Sequence, residues 1–397
     1  MQPVALSHFC LVTSIGAGQA ATLASLAEGV SGLRRSNSGS APPSVHVGEL
    51  AGLDEWRLTG EWAGFDCRNN RAAAMALNQD GFRDAVAQAR ERYGASRIGI
   101  FLGTSTSGIR ATELAYRRRA PETGALPVSF DYAKTHNTYS VGAFVRHYLG
   151  LSGPSVVVSS ACATTAKVFG NAARMMAAGL CDAAVVGGAD TLCGTTLHGF
   201  RSLNLVSAEP CRPFDAERQG ISIGEGAAFA LIEKTGAGDK GSAAVHLLGI
   251  GESSDAHHMS SPHPEGIGAR LAMERALTAA GLAPGDIDYV NLHATATLVG
   301  DAAEDRAVCD LLGTATPCSS TKGFTGHTLG ASGIIEAIFC ALGIIEGFMP
   351  GSPHTRQVDP SFRSRYLLDR RRAAVARVIS NSFGFGGANC SLVLGAA

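Results

Sequence analysis

Residues 156–190 read VVVSSACATTAKVFGNAARMMAAGLCDAAVVGGAD and contain the pattern of a strand, a helix and a second strand. The β-branched run 156–158 predicts a buried strand, and the Ala, Val, Phe and Met residues after it recur at helical spacing as far as Gly179. The apolar run 183–186 then ends at two glycines and predicts the second strand. Strand, helix and strand in this order predict a parallel crossover unit.

Cys162 lies at the turn between the first strand and the helix. Unpaired backbone N–H groups and the helix dipole stabilise negative charge at such a position. A free thiol has a pKa of roughly 8.5, and we expect the helix start to lower the pKa of Cys162. Cysteine is also among the most buried residue types, so the position alone does not separate a nucleophile from inert packing. The histidines and the lysine further along the chain bear on this choice.

The composition indicates a large buried volume. Charged residues make up 17% of the chain, against about 25% in ordinary soluble proteins. The chain also has 49 glycines among 397 residues, which indicates close backbone packing and an extensive subunit interface. The net charge of −1 and the pI near 6.9 provide no field that would attract nucleic acid or a membrane surface, so neither partner is expected.

The ten cysteines form no CxxC pair, and their irregular scatter predicts reduced thiols without a disulfide framework or a metal site. The N-terminus, MQPVALSHFC, lacks the basic region of a signal peptide. The most apolar late stretch, residues 334–345, is interrupted by Glu336 and is too short to span a bilayer, so it predicts a core helix. We therefore expect a soluble, cytoplasmic protein.

Strands and helices alternate along the whole chain, which predicts an α/β fold with mainly parallel sheets covered on both faces. A composition break at residues 235–243 divides the chain into 1–243 and 244–397. Both portions repeat the alternation, which predicts a structural duplication. Within the first portion, residues 34–60 predict a surface loop and residues 68–93 predict one long helix.

The segment GTSTSG, residues 103–108, resembles a phosphate cradle at first sight. It lacks the lysine of a P-loop and the spacing of a dinucleotide fingerprint, so we interpret it as a tight turn after a strand.

Three later segments have the same layout as the one that holds Cys162. In HATATLVGD (293–301), STKGFTGHTLGASG (320–333) and NSFGFGGAN (381–389), polar or small residues follow the end of a predicted strand. In open α/β sheets, functional groups collect beyond the carboxyl ends of strands. Cys162, His293, Lys322 and His327 are therefore candidates for one pocket, although His293 alone could be a buried structural histidine.

Taken together, SSACATTAKVFGNAARM, CRPFD, HATAT, STKGFTGH and SFGFGGAN resemble the signature segments of β-ketoacyl-acyl carrier protein synthases. The resemblance is to the elongating, condensing class of the thiolase superfamily, and it covers essentially the whole chain. It implies a thiolase-like fold of two similar halves in an α-β-α-β-α layering. The half 1–243 would carry the nucleophilic cysteine, and the half 244–397 would carry the histidines, the lysine and a glycine-rich loop.

The resemblance also implies the reaction, a decarboxylative Claisen condensation that makes the chain an acyltransferase. Cys162 matches the nucleophile that accepts an acyl group as a thioester. The backbone N–H groups of Cys162 and Phe385 would form the oxyanion hole. His293 and His327 match the histidines that stabilise the enolate formed when malonyl-carrier protein loses carbon dioxide, which requires neutral imidazoles.

Other positions match supporting residues of the family. Lys322, which we expect to pair with Glu336, would orient a histidine and shape the local field. Thr295 and Thr297 match residues that bind the phosphopantetheine arm of the acyl carrier protein. This arm would be the substrate carrier, with no tightly bound cofactor. Phe385 also matches a phenylalanine that gates the acyl pocket.

Two features bear on partners and specificity. Arg68 and Arg71 match a region that the family uses to dock the acidic carrier protein, with residues 117–119 and 370–372 as further options. Ala294 replaces the glycine that usually follows the catalytic histidine. Its methyl group disfavours positive φ, so we expect a change in the position of His293 or in the width of the tunnel.

Several alternatives stay open at this point. A thiolase would need a second catalytic cysteine, for which Cys390 is the candidate, and a non-catalytic chain-length-factor-like subunit would lack the nucleophile. Three segments, residues 69–71, 103–109 and 255–266, look more like the subgroup that builds aryl polyene pigments than the enzyme of fatty acid synthesis. The resemblance allows a homodimer or a heterodimer with a related subunit.

Overall fold

The computed structural model describes residues 1–36, 44–235 and 244–397 of the chain. The framework strands of the main sheet are β1 (Val4–Thr13), β2 (Ile98–Gly103), β3 (Ser155–Val158), β4 (Ala183–Asp190), β5 (Gly226–Lys234), β6 (Val245–Ser254), β7 (Tyr289–Asn291), β8 (Pro317–Ser319), β9 (Arg377–Gly384) and β10 (Ala388–Ala396). The α-helices are α1 (Gly18–Glu28), α2 (Arg68–Leu77), α3 (Phe82–Tyr93), α4 (Ile109–Arg117), α5 (Tyr132–Thr135), α6 (Ser140–Tyr148), α7 (Thr164–Ala177), α8 (Gly194–Ser202), α9 (Ile267–Ala280), α10 (Leu298–Leu312), α11 (Lys322–Thr325) and α12 (Ser332–Glu346). Short strands cover Gly16–Ala17, Leu33–Arg35, His46–Gly48, Ile223–Gly224, Phe348–Met349, Arg365–Tyr366 and Arg371–Arg372, and 3-10 helices cover Gly60–Phe65, Ala95–Arg97, Pro284–Asp286, Leu329–Ala331 and Phe385–Gly387.

The predicted crossover unit is confirmed. Strands β3 and β4 are joined by α7, and both pair in parallel with β2, which lies between them. Every residue of β2 and β4 is buried. Continuous apolar runs of this kind are typical of strands that are covered on both faces.

The predicted duplication is visible in the strand order. The sheet runs β8-β7-β9-β10-β6-β1-β5-β4-β2-β3, so each half has its first strand inside, followed by its fifth, fourth, second and third. The halves meet where β1 pairs with β6 at Val4–Leu247 and Ala5–His246. The predicted boundary at residue 243 borders the segment 236–243, which lies outside the described residues, and it stays a prediction.

The sheet is mixed, so the prediction of mainly parallel sheets is wrong. Strand β5 runs antiparallel to β1 and β4, and β10 runs antiparallel to β6 and β9. In the second half the cause is local, because only Phe385–Gly387 connects β9 to β10. So short a connection forces an antiparallel hairpin, since a parallel crossover needs a dozen or more residues.

The layers follow the expected α-β-α-β-α order. Helices α2, α3 and α6 pack on the outer face of the first half with side chains such as Phe82 and Phe144. Helices α9 and α10 cover the outer face of the second half around Met273 and Val308. Between the two halves, α7 and α12 contact each other in a central core.

Helix α12 occupies the centre of the protein. Among the described residues, only Leu329–Glu346 is long and apolar enough to pass a test for membrane spans, and 89% of it is buried inside the protein. Its apolar side chains, Ile334 and Phe339 among them, belong to the central core. This agrees with the prediction of a core helix.

Two predicted elements of the first half differ from the structure. The expected helix 68–93 is divided into α2 and α3, because Asp80 and Gly81 both adopt left-handed backbone conformations with φ of 56° and 66°. The Asp-Gly pair was the turn signal. The expected loop 34–60 includes the strand His46–Gly48, which pairs with Leu33–Arg35 and Ile223–Gly224, while residues 37–43 lie outside the described part of the chain.

Arg68 is buried at the start of α2. Its Nε and Nη2 donate to the two carboxylate oxygens of Glu225 at 2.8 and 2.6 Å, and Nη1 pairs with Asp54. This position argues against the predicted docking role of Arg68, because carboxylates of its own chain, the buried Glu225 and the exposed Asp54, occupy every nitrogen of its guanidinium. Arg71 is half-buried and donates from two nitrogens to Asp66 at 2.6 Å, and its docking role stays a prediction.

We expect Arg68→Ala to lower the free energy of unfolding by about 3–5 kcal/mol, because it leaves the Glu225 carboxylate buried and unpaired. Arg71→Ala is the matched control and should cost about 1 kcal/mol or less, since its pair with Asp66 is partly exposed. Urea denaturation followed by circular dichroism measures both. Equal losses in the two variants would contradict a structural role specific to Arg68.

Candidate active site

Three side chains from distant parts of the chain meet in one place. Cys162 precedes α7, His293 follows β7, and His327 lies between α11 and α12. The Sγ atom of Cys162 lies 3.0 Å from Nε2 of His327, and one thiol or imidazole atom from each of the three residues lies within 4.8 Å of the others. All three line a cavity of about 330 Å³. The expectation of one pocket holds for these three residues, whereas the fourth candidate, Lys322, is not among the cavity-lining residues of the described chain.

The turn before α7 fixes the position of Cys162. Ala161 has a φ of 46°, a left-handed conformation that is rare for a residue with a side chain. Thr164 holds this turn, since its hydroxyl accepts a hydrogen bond from the Ser160 N–H at 2.7 Å and donates to the Ala161 carbonyl at 2.6 Å. The thiol is therefore presented by a strained but well-bonded turn.

Two backbone N–H groups face the thiol. The N–H groups of Cys162 and Phe385 both interact with Sγ in the sense that lowers its pKa. The loop of Phe385 can approach Cys162 closely because residue 384 is a glycine. A Cβ at this position would lie only 3.0 Å from the Cys162 nitrogen. Gly386 and Gly387, with φ of 76° and 72°, complete the bend. This is the arrangement that an oxyanion hole requires, two donors directed at the site of the reacting atom.

The thiol of Cys162 is not acidic. Burial raises its pKa to about 11, against the opposing effects of Lys322 and the Phe385 N–H. The buried carboxylate of Asp190 also raises the pKa. The N–H at the helix start lowers the pKa as expected, but the expected net decrease is not found, because desolvation of the thiolate outweighs the favourable charges and dipoles. The resting group is a thiol beside an imidazole.

Both histidines are neutral at physiological pH. Burial lowers the pKa of His293 and of His327 well below the usual value, and the nearby charge of Lys322 lowers both further. Their rings lie edge to face, with centroids 5.3 Å apart. Nδ1 of His327 lies 3.0 Å from the hydroxyl of Ser332, whereas Nδ1 of His293 has no hydrogen-bond partner among the described residues.

Two buried carboxylates, which the sequence analysis missed, hold the backbone that follows β7. The Glu304 carboxylate accepts from the N–H groups of His293 and Ala294 at 2.8 and 2.7 Å. One oxygen of Asp301 accepts from the N–H groups of Thr295 and Ala296 at 3.0 and 3.1 Å. Burial raises the pKa of Asp301 to about 6 and that of Glu304 to about 7. In the sequence, Asp301 and Glu304 are two acids about one helical turn apart, shortly after the HATAT segment. This pair was the signal by which the buried carboxylates could have been found.

The backbone strain of this segment lies at a different alanine from the expected one. Ala296 has a φ of 67°, while Ala294 is not among the residues with positive φ. Ala294 is fully buried and packs in the core of the second half. Its methyl group therefore does not force the backbone, which removes the expected reason for a displacement of His293. Ala294 also lines the cavity, and its expected effect on the width of the tunnel stays a prediction. A left-handed alanine costs on the order of 1 kcal/mol, which here falls on Ala296.

Lys322 supports the site from a position outside the cavity lining. Its Nζ donates to Glu336 at 2.6 Å, as predicted, and both side chains are buried. Burial raises the pKa of Glu336, while Lys322 opposes that shift. Among the described residues, Lys322 does not belong to the cavity lining. It acts on the histidines through its charge.

The cavity contains the other predicted binding residues. Thr295 and Thr297 both line it, and their hydroxyls are 3.1 Å apart. Phe385 lines it as well, and its ring lies 5.5 Å from that of Phe200. The location suits the predicted roles in binding a pantetheine arm and gating an acyl pocket, which stay predictions.

The GTSTSG segment binds the side-chain carboxylate of Asp190, which belongs to the same chain. Thr104 and Thr106 donate their hydroxyls to one oxygen of Asp190 at 2.8 and 2.7 Å, and the N–H groups of Ser105 and Thr106 donate to the same oxygen. These donors are satisfied internally, which agrees with the interpretation as a turn.

Cys390, the candidate second cysteine of a thiolase, lies in β10. It is buried in the central core and is not among the cavity-lining residues of the described chain. The position argues against the thiolase alternative, which needs two cysteines at one substrate.

We expect the alkylation rate constant of Cys162 with iodoacetamide to rise about tenfold per pH unit from pH 7 to 10, because a pKa of about 11 keeps the thiolate scarce below that pH. Intact-mass spectrometry over time measures the rate, and the Cys162→Ala variant identifies the labelled position. A plateau near pH 7 would show an acidic thiol instead.

Comparison with known proteins agrees with this site. Family models for the N-terminal and C-terminal domains of β-ketoacyl synthase match residues 65–237 and 244–356. The mitochondrial 3-oxoacyl-[acyl-carrier-protein] synthase of Arabidopsis thaliana is 37% identical over 81% of this chain and 72% of its own length. The 3-oxoacyl-[acyl-carrier-protein] synthase 2 of Vibrio cholerae is 33% identical over 85% and 87%.

A solved structure agrees as well. The complex of a ketosynthase with its chain length factor from Xenorhabdus doucetiae matches 100% of this chain and 98% of the solved chain, at 34% identity and a TM-score of 0.89. With both family models, curated relatives above 30% identity and a cysteine and two histidines in one buried cavity, the chain belongs to the β-ketoacyl synthase family, a family of condensing acyltransferases with the thiolase-like fold.

Proposed function

We propose that Cys162 accepts an acyl group as a thioester. His293 and His327 then direct the decarboxylative condensation of a malonyl thioester with this acyl group. The observation that carries this proposal is the cavity in which the thiol, both imidazoles and two backbone N–H groups surround one reacting position. No other arrangement of the described residues combines a nucleophile with these donors.

The first half-reaction transfers the acyl group. Nε2 of His327 takes the proton of the Cys162 thiol, and Sγ attacks the carbonyl carbon of the acyl thioester. The backbone N–H groups of Cys162 and Phe385 stabilise the resulting oxyanion, and each such donor is typically worth about 10²–10³ in rate. The tetrahedral intermediate then expels the pantetheine thiolate, which receives the proton from His327.

The second half-reaction forms the carbon–carbon bond. The neutral imidazoles of His293 and His327 each donate a hydrogen bond to the carbonyl oxygen of the malonyl thioester. Loss of carbon dioxide leaves an enolate on that oxygen, and its carbon attacks the acyl carbonyl held on Cys162. The Cys162 thiolate leaves and takes the Nε2 proton of His327, whose Nδ1 regains one proton from water, and the product is a β-ketoacyl thioester. Burial keeps both imidazoles neutral, and Lys322 adds to this effect because its charge disfavours a second cation nearby.

The substrate arrives on a carrier. We assign the phosphopantetheine arm of an acyl carrier protein to the cavity, with Thr295 and Thr297 as its hydrogen-bonding partners, and we assign no tightly bound cofactor. Among the predicted docking residues, Arg71 and the exposed arginines of residues 117–119 and 370–372 remain candidates for contact with the acidic carrier. The cytoplasm is the proposed location.

Replacement of the two kinds of catalytic side chain should separate the half-reactions. Cys162→Ala should lower condensation at least about 10³-fold and abolish acyl-enzyme, because the nucleophile is lost. His293→Ala should keep acylation of Cys162 and lower decarboxylation about 10²–10³-fold, because one donor to the enolate is lost. Intact-mass spectrometry measures acylation, and release of labelled carbon dioxide measures decarboxylation.

Cys10→Ala is the matched control, since Cys10 is buried in β1 and lies outside the cavity. It should retain both activities. Equal loss of acylation and decarboxylation in His293→Ala would contradict the division of labour. Failure of the epoxide cerulenin, an acyl mimic, to form an adduct on Cys162 would favour the alternative of a non-catalytic, chain-length-factor-like subunit.

A heterodimer with a related ketosynthase-like subunit is the proposed assembly. Two of the similar solved structures, from Xenorhabdus doucetiae and the ishigamide system, are described as a ketosynthase with a chain length factor. Strand β3 is the edge of the sheet in the first half, and its valines 156–158 are only half-buried. An edge strand with partly exposed apolar residues favours pairing with a second chain.

Polyene chain elongation is the proposed pathway, with fatty acid synthesis as the alternative. Of the segments that look like the aryl polyene subgroup, residues 255–266 contribute Ser260 and Ser261 to the cavity lining. The carbonyl of Met259 also accepts a hydrogen bond from the Gly386 N–H at 2.8 Å, next to Phe385. This segment therefore contacts the loop that faces the acyl chain, where it can affect the choice of primer.

With the related subunit present, the chain should elongate polyene primers with malonyl-carrier protein, and without it turnover should fall at least about tenfold. Product mass spectrometry on a panel of saturated and polyene primers measures this. Full activity of the chain alone as a homodimer would contradict the heterodimer, and comparable turnover of long saturated primers would contradict the pathway.

Two variants test whether β3 forms the interface between the two subunits. Val157→Asp should weaken the heterodimer, seen as loss of a particle about twice the 40.8 kDa mass of the chain. Leu180→Asp is the matched control, because Leu180 is 52% exposed and lies on the connection between α7 and β4, away from β3.

A further inference from the structure

We propose that Ser332 is a positioning residue whose hydroxyl lets His327 serve as a proton acceptor in acyl transfer and as a proton donor in condensation. The inference rests on the proposed function of the site. It concerns a residue that the sequence analysis did not select, and it assigns to it a defined task in both half-reactions.

The hydroxyl of Ser332 is the partner of the imidazole nitrogen that faces away from the thiol. Nδ1 of His327 lies 3.0 Å from Oγ of Ser332, on the ring edge opposite the 3.0 Å contact between Nε2 and Cys162. Oγ of Ser332 lies 3.2 Å from Oγ1 of Thr328. His327, Thr328 and Ser332 are each at most 3% exposed, so bulk water does not take the place of these contacts.

The two half-reactions require opposite tautomers of His327. In acyl transfer Nε2 must accept the thiol proton, so Nδ1 carries a hydrogen and needs an acceptor. In condensation Nε2 must donate to the malonyl carbonyl, so Nδ1 carries a lone pair and needs a donor. A hydroxyl can supply either partner by rotation about its C–O bond, whereas a backbone N–H or carbonyl supplies only one.

Thr328 completes the exchange. When Ser332 accepts from Nδ1, its own hydrogen can point to Oγ1 of Thr328, and when Ser332 donates to Nδ1, the Thr328 hydroxyl can donate to Oγ of Ser332. Neither tautomer then leaves a buried nitrogen unpaired, which matters because an unsatisfied buried polar group is costly.

The fold fixes the hydroxyl at this position. Ser332 is the first residue of α12, and Leu329, with a φ of 55°, bends the chain so that residues five apart in sequence meet. Thr165 of α7 anchors the helix start, because its hydroxyl accepts from the Ile334 N–H at 3.0 Å and donates to the Gly330 carbonyl at 2.6 Å. The same helix that begins near Cys162 therefore locates Ser332.

The proton count closes over one cycle. In acyl transfer the thiol proton moves to Nε2 and leaves with the pantetheine thiolate, which returns His327 to the tautomer with hydrogen on Nδ1. Before condensation one proton must move from Nδ1 to Nε2. Water that enters the cavity while one carrier protein replaces another gives a proton to Nε2, and the Nδ1 proton passes out through the hydroxyls of Ser332 and Thr328. After condensation Nε2 gives its proton to the Cys162 thiolate and Nδ1 regains one through the same hydroxyls, so each cycle consumes one proton, as the loss of a carboxylate as carbon dioxide requires.

Removal of the hydroxyl should slow both half-reactions of the full-length enzyme. In Ser332→Ala we expect single-turnover acylation of Cys162 and malonyl decarboxylation each to fall about 10- to 100-fold, the usual effect of losing a hydrogen bond to a charged or developing charged group. The KM for malonyl-carrier protein should change less than about twofold. Ser332→Thr keeps the hydroxyl and should retain rates within about threefold of the wild type.

Ser25→Ala is the matched control, because Ser25 is also a helical serine whose hydroxyl is bonded, here to the Ile15 carbonyl at 2.7 Å, far from the cavity in sequence. It should leave both rates unchanged. Should Ser332→Ala fail to fold, Ser332→Cys, which fills a similar volume with a weak hydrogen-bonding group, is judged by the same rates.

The outcomes separate the inference from the function on which it rests. A wild-type enzyme that acylates and condenses, together with a hydroxyl-free variant within twofold of it in both rates, overturns the role of Ser332 alone. Loss of activity that Ser332→Thr does not restore also overturns it. A wild-type chain that forms no acyl adduct on Cys162 overturns the proposed function itself.

Discussion

The close contact between the starts of α7 and α12 is the constraint on which the site depends. A Cβ on Gly333 would lie 2.4 Å from the Ala166 nitrogen, so only a glycine allows the two helices to meet there. The hydroxyl of Thr165 adds a hydrogen bond from the Ile334 N–H of α12 and another to the Gly330 carbonyl just before that helix. Because one helix start carries the thiol and the other follows His327, this contact converts a duplicated fold into a single site. Neither half alone holds both the nucleophile and its proton acceptor.

Burial then sets the chemistry of the site. A water-filled cleft would leave the histidines partly charged and would screen Lys322. Where the thiol and imidazoles lie buried, the cost of desolvation keeps both imidazoles neutral and the thiol protonated, and Lys322 acts with little screening. Its partner Glu336 holds the lysine in place through an ion pair of 2.6 Å and is not among the cavity-lining residues of the described chain. The site thus holds neutral groups that can donate hydrogen bonds, which is what stabilisation of an enolate requires.

The sequence was sufficient for the residues that carry chemistry and insufficient for those that hold them. Cys162 and both histidines could be found because each follows a strand and lies within a distinctive motif. Local sequence pattern cannot assign the carboxylate partners of Arg68 or the groups that set the pKa of the Cys162 thiol. These groups come from segments that are far apart in the chain. The antiparallel fifth strands were likewise hidden, because an apolar run gives no direction for its pairing.

Backbone strain occurs close to each of the three side chains that form the site. Ala161 precedes Cys162, Ala296 follows His293 by three residues and Leu329 follows His327 by two, and all three have φ between 46° and 67°. Each conformation costs on the order of 1 kcal/mol for a residue with a side chain, and it persists only where the surroundings enforce it. Here Thr164, Asp301 and Thr165 supply the enforcing hydrogen bonds. The stability lost at these turns is therefore the cost of directing a thiol and two imidazoles into one cavity.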